Sequence, residues 1–311
     1  MSDIKVLTFV EKERICEELF RTSGQFWHLY TDGTRMEDIF LNDKDFKAGI
    51  SILAASMQIV KPDVRLVTFV LMKNHLHLIL CGHRKDCLRL WEILKDKIRR
   101  VFKTSERCID WSNFEAEILP IDSLKALRNE IIYVHRNAFV ANPEYTPQSY
   151  PWCGGCAYFN PMILEIPTRK AGSLSIDALR RLTHSKDITP MSALRFTGDK
   201  VYIPSFCGIS LGESMFTDAR SYFFSLTRNA EAFSQIAARL KDKIFLTDDE
   251  IYAAASSIAL KDYNTRQIST LTPDERIKLA KDLHFRYNAS AQQLRRILKL
   301  DISILNELFP K

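Results

Sequence analysis

No stretch of this sequence approaches the roughly 18 consecutive apolar residues that a bilayer-spanning helix requires, so no spanning helix is expected. Glycine (10) and proline (11) are scarce among 311 residues. That argues against long low-complexity or linker-like tracts and in favour of a packed chain. A dominant charge is lacking as well. Lys and Arg total 44 against 38 Asp and Glu, for a formal +6 and a pI near 8.9. Such mild basicity permits a polyanionic partner without demanding one. The seven cysteines (16, 81, 87, 108, 153, 156 and 207) are odd in number and scattered. They read as free thiols of a reducing compartment rather than a disulfide scaffold. Residues 1–5 carry no apolar stretch behind a basic start, so no export signal is expected and the chain is assigned to the cytosol.

What is present suffices for a core: 46% of the residues are hydrophobic, and the length suggests about two domains. The first 160 residues read as mixed α and β. Gln25 to Tyr30 is short and aromatic, like a strand, and Asp32-Gly33-Thr34 marks a turn. Asp43 to Val60 repeats apolar residues at helical spacing. Arg65 to Leu71 and His75 to Leu80 look like strand. Leu88 to Phe102 predicts an amphipathic helix with a basic face, and Ser123 to Val140 another helix. Pro161 to Ser173 reads as a linker. Beyond it come helices at Ser175 to Leu182 and Asp218 to Leu240, with a strand-like Val201 to Phe206 between them. The expected division is 1–160, then a linker and helical extension over 161–244, then a helical domain over 245–311.

Two segments carry chemistry. Phe69 to Leu80 reads FVLMKNHLHLIL, and histidines one residue apart on a strand point to the same face. His75 and His77 could share one metal ion, or be a plain exposed polar pair. Ile131 to Ala141 reads IIYVHRNAFVA, which puts Tyr133 and Asn137 one turn apart on a helix. If that face meets His75 and His77, the Asn137 carbonyl adds a third, oxygen ligand. Two imidazoles and one amide oxygen would leave open positions on Mg²⁺ or Mn²⁺.

MKNHLHLIL is similar to the Met-Pro-Asn-His-hydrophobic-His-Leu-Leu signature of the REP-associated tyrosine transposases, in the HUH endonuclease superfamily. YVHRNAFVA looks like that family's Tyr-Ile-His-x-Asn-Pro-Val-x-Ala segment, and Tyr150-Pro151-Trp152 resembles its following Tyr-Pro-Trp. The order of the three agrees, as does the gap of about fifty residues between the first two. The resemblance covers roughly residues 20 to 160. Lys73 and Ala138 stand where the family has proline, and Cys153 and Gly154 where serines are common. The resemblance implies an α+β chain with a ferredoxin-like core: an antiparallel sheet with both histidines on a central strand and helices on one face. It implies Tyr133 as the nucleophile, on a helix opposite the ligands, and single-stranded or hairpin DNA of a bacterial cytoplasm or nucleoid as partner. A homodimer is compatible with it. Lys73, Lys95, Lys97, Arg99, Arg100, Lys103, Arg136, Arg295 and Arg296 are the candidates for DNA contact. Lys73 reads first as a plain surface lysine and second as a phosphate contact. His135, two residues from Tyr133, is read as a packing or DNA-contacting residue and not as the base.

Cys153-Gly-Gly-Cys156 lacks the second pair that zinc would need and reads as a loop-packing pair. His83, His184 and His284 read as surface or capping residues. Thr272-Pro273-Asp274-Glu275 should open a helix running to about Tyr287. Ser290 to Gln293 is a capping box that opens a second, and Ile302 to Leu308 forms a third. These basic helices admit a helix-turn-helix DNA-binding unit or a solvated helical cap. Two alternatives to a transposase-like enzyme remain: a domesticated, non-catalytic DNA-binding protein, and an HUH-type replication or relaxation initiator. No Walker motif supports the last.

Overall fold

The computed structural model describes residues 7–103, 107–141, 144–227, 230–242 and 244–309. The opening pentapeptide, read above as no export signal, lies outside them. Two compact units divide at Phe223 and Phe224.

The first unit starts with α1 (Phe9–Ser23), a helix not anticipated from the sequence. Its capping box was there to be read: Thr8 accepts from the Glu11 amide and Glu11 accepts from the Thr8 amide. Then follow β1 (Phe26–Thr31), α2 (Asp43–Val60), β2 (Val64–Leu71), β3 (Leu76–Gly82), α3 (Arg84–Phe102), β4 (Ala116–Ile121) and α4 (Leu124–Ala141). The four strands form one antiparallel sheet in the order β2-β3-β1-β4. β4 also escaped the sequence reading. It is an edge strand, and Pro120 within it is tolerated only because one side of an edge needs no ladder hydrogen bond.

β2 and β3 are buried along almost their whole length, because helices cover both faces of the sheet, which corrects the expectation of helices on one face. Gly49 of α2 lies against the Leu71 side chain on one face. On the other face His135 of α4 meets Thr68 of β2. α1 is pinned to α4 by Arg128, whose guanidinium grips both Glu13 oxygens at 2.7 and 2.9 Å.

The segment read as a linker is part of this unit. Two-residue β5 (Arg169–Lys170), β6 (Arg195–Thr197) and β7 (Lys200–Val201) form a second small antiparallel sheet. β7 and α5 (Ile176–Thr183) both pack on α2. The expected strand over 201–206 shrinks to Val201, and a 3-10 turn takes Ile203–Ser205, where Pro204 cannot donate to a ladder. Before it, the Tyr150 hydroxyl donates to the Leu71 carbonyl, Leu71 N–H donates to the Trp152 carbonyl, and Tyr158 donates to the Val67 carbonyl. Together with Gly208, whose N–H donates to the Leu66 carbonyl, these residues cover the open edge of β2. α6 (Ile209–Glu213) follows, then α7 (Ala219–Thr227), which runs across the boundary between units. The single helix expected over 218–240 is thus assigned as α7 and α8 (Ala230–Leu240).

The second unit is helical: α8, α9 (Asp248–Tyr263), α10 (Pro273–Tyr287), α11 (Ala291–Leu298) and α12 (Ile302–Leu308). Capping boxes open α9, α10 and α11. Asn288 and Lys299 take left-handed conformations at the ends of α10 and α11, which makes the tight turns read from the sequence. Leu283, Leu294, Leu298 and Leu305 are buried in its core. Among the described residues, no helix is long and apolar enough to cross a membrane.

His135 has a packing role: it is fully buried, between the Thr68 hydroxyl at 2.6 Å and the Tyr222 hydroxyl at 2.8 Å. Burial pulls its pKa from 6.5 down to about 3. The folded ring therefore stays neutral while the unfolded chain takes up a proton. Stability should hold above pH 6.5 and fall between pH 6.5 and 3, by up to about 1.4 kcal/mol per pH unit from this group. Urea denaturation at pH 7, 5 and 4 measures the slope, and His135→Gln should remove this contribution to it.

Candidate metal and nucleophile site

β3 begins at Leu76, so of the two histidines expected on it only His77 lies within the strand, and His75 stands just ahead of it; alternation sends Leu76 and Leu78 to the face opposite His77. The two imidazole centroids lie 5.2 Å apart and nearly perpendicular. His75 is held by its sequence neighbour, its Nδ1 lying 2.8 Å from Asn74 Oδ1. The Asn74 amide nitrogen donates to the carbonyls of Gly33 at 2.7 Å and Met36 at 3.1 Å. Oδ1 is thus the acceptor, His75 Nδ1 carries the proton, and Nε2 is the nitrogen this ring can offer a cation.

Gly33 is required here for close approach. A Cβ on it would stand 2.5 Å from His75 Nδ1 and 2.9 Å from Cγ. Gly33→Ala should swing the His75 ring off Asn74. We expect a cost of about 1–3 kcal/mol in urea denaturation and at least a tenfold loss of Mn²⁺ affinity by titration. Unchanged values for both would show that the ring is not held as described.

On β1, His28 places Nε2 3.0 Å from His77 Nδ1 and Nδ1 2.8 Å from Glu130 of α4. All three are buried. Neither His28 nor Glu130 was singled out from the sequence. One signal for Glu130 existed: with Tyr133 and Asn137 it forms an i, i+3, i+7 row along one helix face.

Glu130 and Tyr133 of that row meet the histidines. The Tyr133 ring centroid is 5.8 Å from that of His77 and 6.3 Å from that of His28. Asn137 donates from Nδ2 to the Tyr133 carbonyl at 3.1 Å. Its Oδ1 is buried and has no hydrogen-bond partner among the described residues, a state that costs about 1–3 kcal/mol unless something binds it. Imidazole nitrogens and an amide oxygen are donors of the kind that divalent metal ions take.

The neighbouring tyrosines are occupied. Tyr150 and Tyr158 each donate to a backbone carbonyl, and burial pushes both phenols well above their ordinary pKa. Cys153 and Cys156 are free, and burial holds both as thiols, as a loop-packing pair should be.

The basic residues divide into two groups. Lys73, Arg100, Lys103, Arg295 and Arg296 are exposed. The continuous basic face expected on α3 is corrected at Lys95 and Lys97, both buried. Lys95 pairs with Glu92 at 2.9 Å and Glu115 at 3.0 Å. Lys97 donates to the Ser185 hydroxyl at 3.2 Å. Burial, with Arg100 adding to it, lowers its pKa. Arg99 donates to the Trp111 carbonyl at 2.8 Å. The chain at Trp111–Glu115 and at Ser185 thus occupies groups that could otherwise meet phosphates. Arg136 is corrected likewise: it is buried, its guanidinium 5.5 Å from the Phe139 ring centre. Arg296 is bonded to Asp248 at 2.5 and 2.9 Å.

No protein-family model matches the chain, and no curated protein or solved structure is significantly similar to it.

Proposed function

We propose that this chain is an HUH-type endonuclease and strand transferase for single-stranded DNA, related to the REP-associated tyrosine transposases. The observation that carries this is the placement of the Tyr133 ring of α4 5.8 Å from that of His77, with Asn137 one turn further along the same helix. The β-α-β-β-α-β order from β1 to β4 and the strand order β2-β3-β1-β4 support a ferredoxin-like core. His75, His77 and Asn137 would hold a divalent metal, which would polarise a phosphate oxygen.

Tyr133 Oη attacks phosphorus in line and loses its proton. The bond to the departing 3′ oxygen breaks, that oxygen takes a proton, and a 5′-phosphotyrosine remains. A second 3′-hydroxyl can reverse the step and join a new strand, because the phosphodiester energy is kept in the covalent link. Tyr133, His77 and Asn137 are buried, so DNA reaches them only in a conformation that exposes this face. Incubation of a labelled hairpin oligonucleotide with Mg²⁺ or Mn²⁺, followed by a denaturing gel, should reveal nicked product and a protein-linked band. Nicking that persists unchanged in EDTA would overturn the metal assignment.

The same burial favours a second reading, a DNA-binding protein that performs no cleavage. Hairpin binding with no adduct under any metal condition would select it. In either case the second unit is read as a helix-turn-helix. Arg295 and Lys299, both exposed, are its candidate phosphate contacts. Replacing both by Ala should flatten the salt dependence of binding, by roughly 0.7 in log–log slope per lost contact on a single strand. Equal slopes for variant and parent would remove them from the interface.

A further inference from the structure

We infer that Glu130 and His28 are positioning residues that lock His77 into the one tautomer able to bind a metal. This rests on the reading of His77 as a ligand. A carboxylate can only accept, so Glu130 requires a proton on His28 Nδ1, 2.8 Å away. Neutral His28 then has an acceptor at Nε2. The 3.0 Å contact to His77 Nδ1 needs a donor, so the His77 proton sits on Nδ1. The lone pair of His77 is therefore on Nε2. With Glu130 ionised and both rings neutral, each bond in the row has one donor and one acceptor, and reversing either one leaves two donors or two acceptors facing each other. Strand register sets the spacing: His28 pairs with Ile79 and Tyr30 with His77, so His28 and His77 sit diagonally on one face of adjacent strands. Glu130 comes from the next turn of the helix that carries Tyr133. The row thus ties the candidate ligand strand to the candidate nucleophile helix. His75 has a separate clamp in Asn74, so the two rings are oriented by independent means.

The test uses full-length protein with ¹⁵N-labelled histidine, metal-free at pH 8, and long-range ¹H–¹⁵N correlation to read the tautomer. His77 is expected with the proton on Nδ1 and His28 likewise. Glu130→Gln presents both an amide N–H and a carbonyl to His28, so the direction is no longer enforced. It should give His77 as a mixture and weaken Mn²⁺ binding about 10–100-fold. His77 protonated on Nε2 in the parent protein overturns the lock. So does a Glu130→Gln protein with unaltered tautomer and unaltered Mn²⁺ affinity. If the variant does not fold, the parent tautomer decides alone. A parent protein with the expected tautomer but no Mn²⁺ binding supports the lock and overturns the metal reading instead.

Discussion

Tyr133→Phe should keep the fold and DNA binding yet abolish the covalent protein–DNA adduct, a loss of at least about a thousand-fold in strand cleavage. The substitution keeps the ring that packs edge-on to His77 and removes only the hydroxyl, so the stability change should stay near 1 kcal/mol. The chain has ten tyrosines; Tyr145, Tyr150 and Tyr158 are the competitors close in sequence, and the two buried ones give the control. Tyr150 and Tyr158 spend their hydroxyl protons on the Leu71 and Val67 carbonyls. Tyr150→Phe and Tyr158→Phe should each cost about 1–3 kcal/mol through the loss of a buried hydrogen bond, while adduct formation persists in the folded fraction. A labelled oligonucleotide and a denaturing gel measure all three. Phosphotyrosine located by mass spectrometry on any residue other than Tyr133 would sink the assignment.

The parts of the site legible in the sequence are those set by local periodicity. The i, i+2 spacing brings the His75 and His77 rings together, His75 just ahead of β3 and His77 within it, and the i, i+4 spacing puts Tyr133 and Asn137 on one helix face. The C-terminal caps are equally local, since Ser290 and Gln293 satisfy each other's amides within one turn. What could not be read depends on distant chain. His28 reaches His77 across 49 positions and Glu130 across 102, and nothing near any of the three announces the others. Lys95 and Lys97 share a basic stripe on α3, but charge periodicity does not say that Glu115 and Ser185 will fold across it. The prolines of 161–173 suggested a linker, whereas the short strands that follow find their partner in α2. β4 was hidden because an edge strand with one buried residue among six shows little alternation.

His75→Ala and His77→Ala should both reduce cleavage to background and abolish tight Mn²⁺ binding, yet they should differ in stability. His75 bonds to Asn74 near the sheet end, and its removal leaves an Asn74 oxygen in a part-buried setting. His77 is fully buried and joins the row through His28 to Glu130. Deleting it leaves His28 Nε2 without its partner there and opens a void under the Tyr133 ring, which together should cost about 2–4 kcal/mol. His75→Ala should cost less than about 2 kcal/mol. Chemical denaturation separates the two, and Mn²⁺ titration with the gel assay shows whether both losses of activity come with loss of the ion. If His75→Ala is as stable as expected and still forms adduct at the parent rate in Mn²⁺, His75 is not a ligand. The metal would then rest on a donor set that the β3 face does not supply.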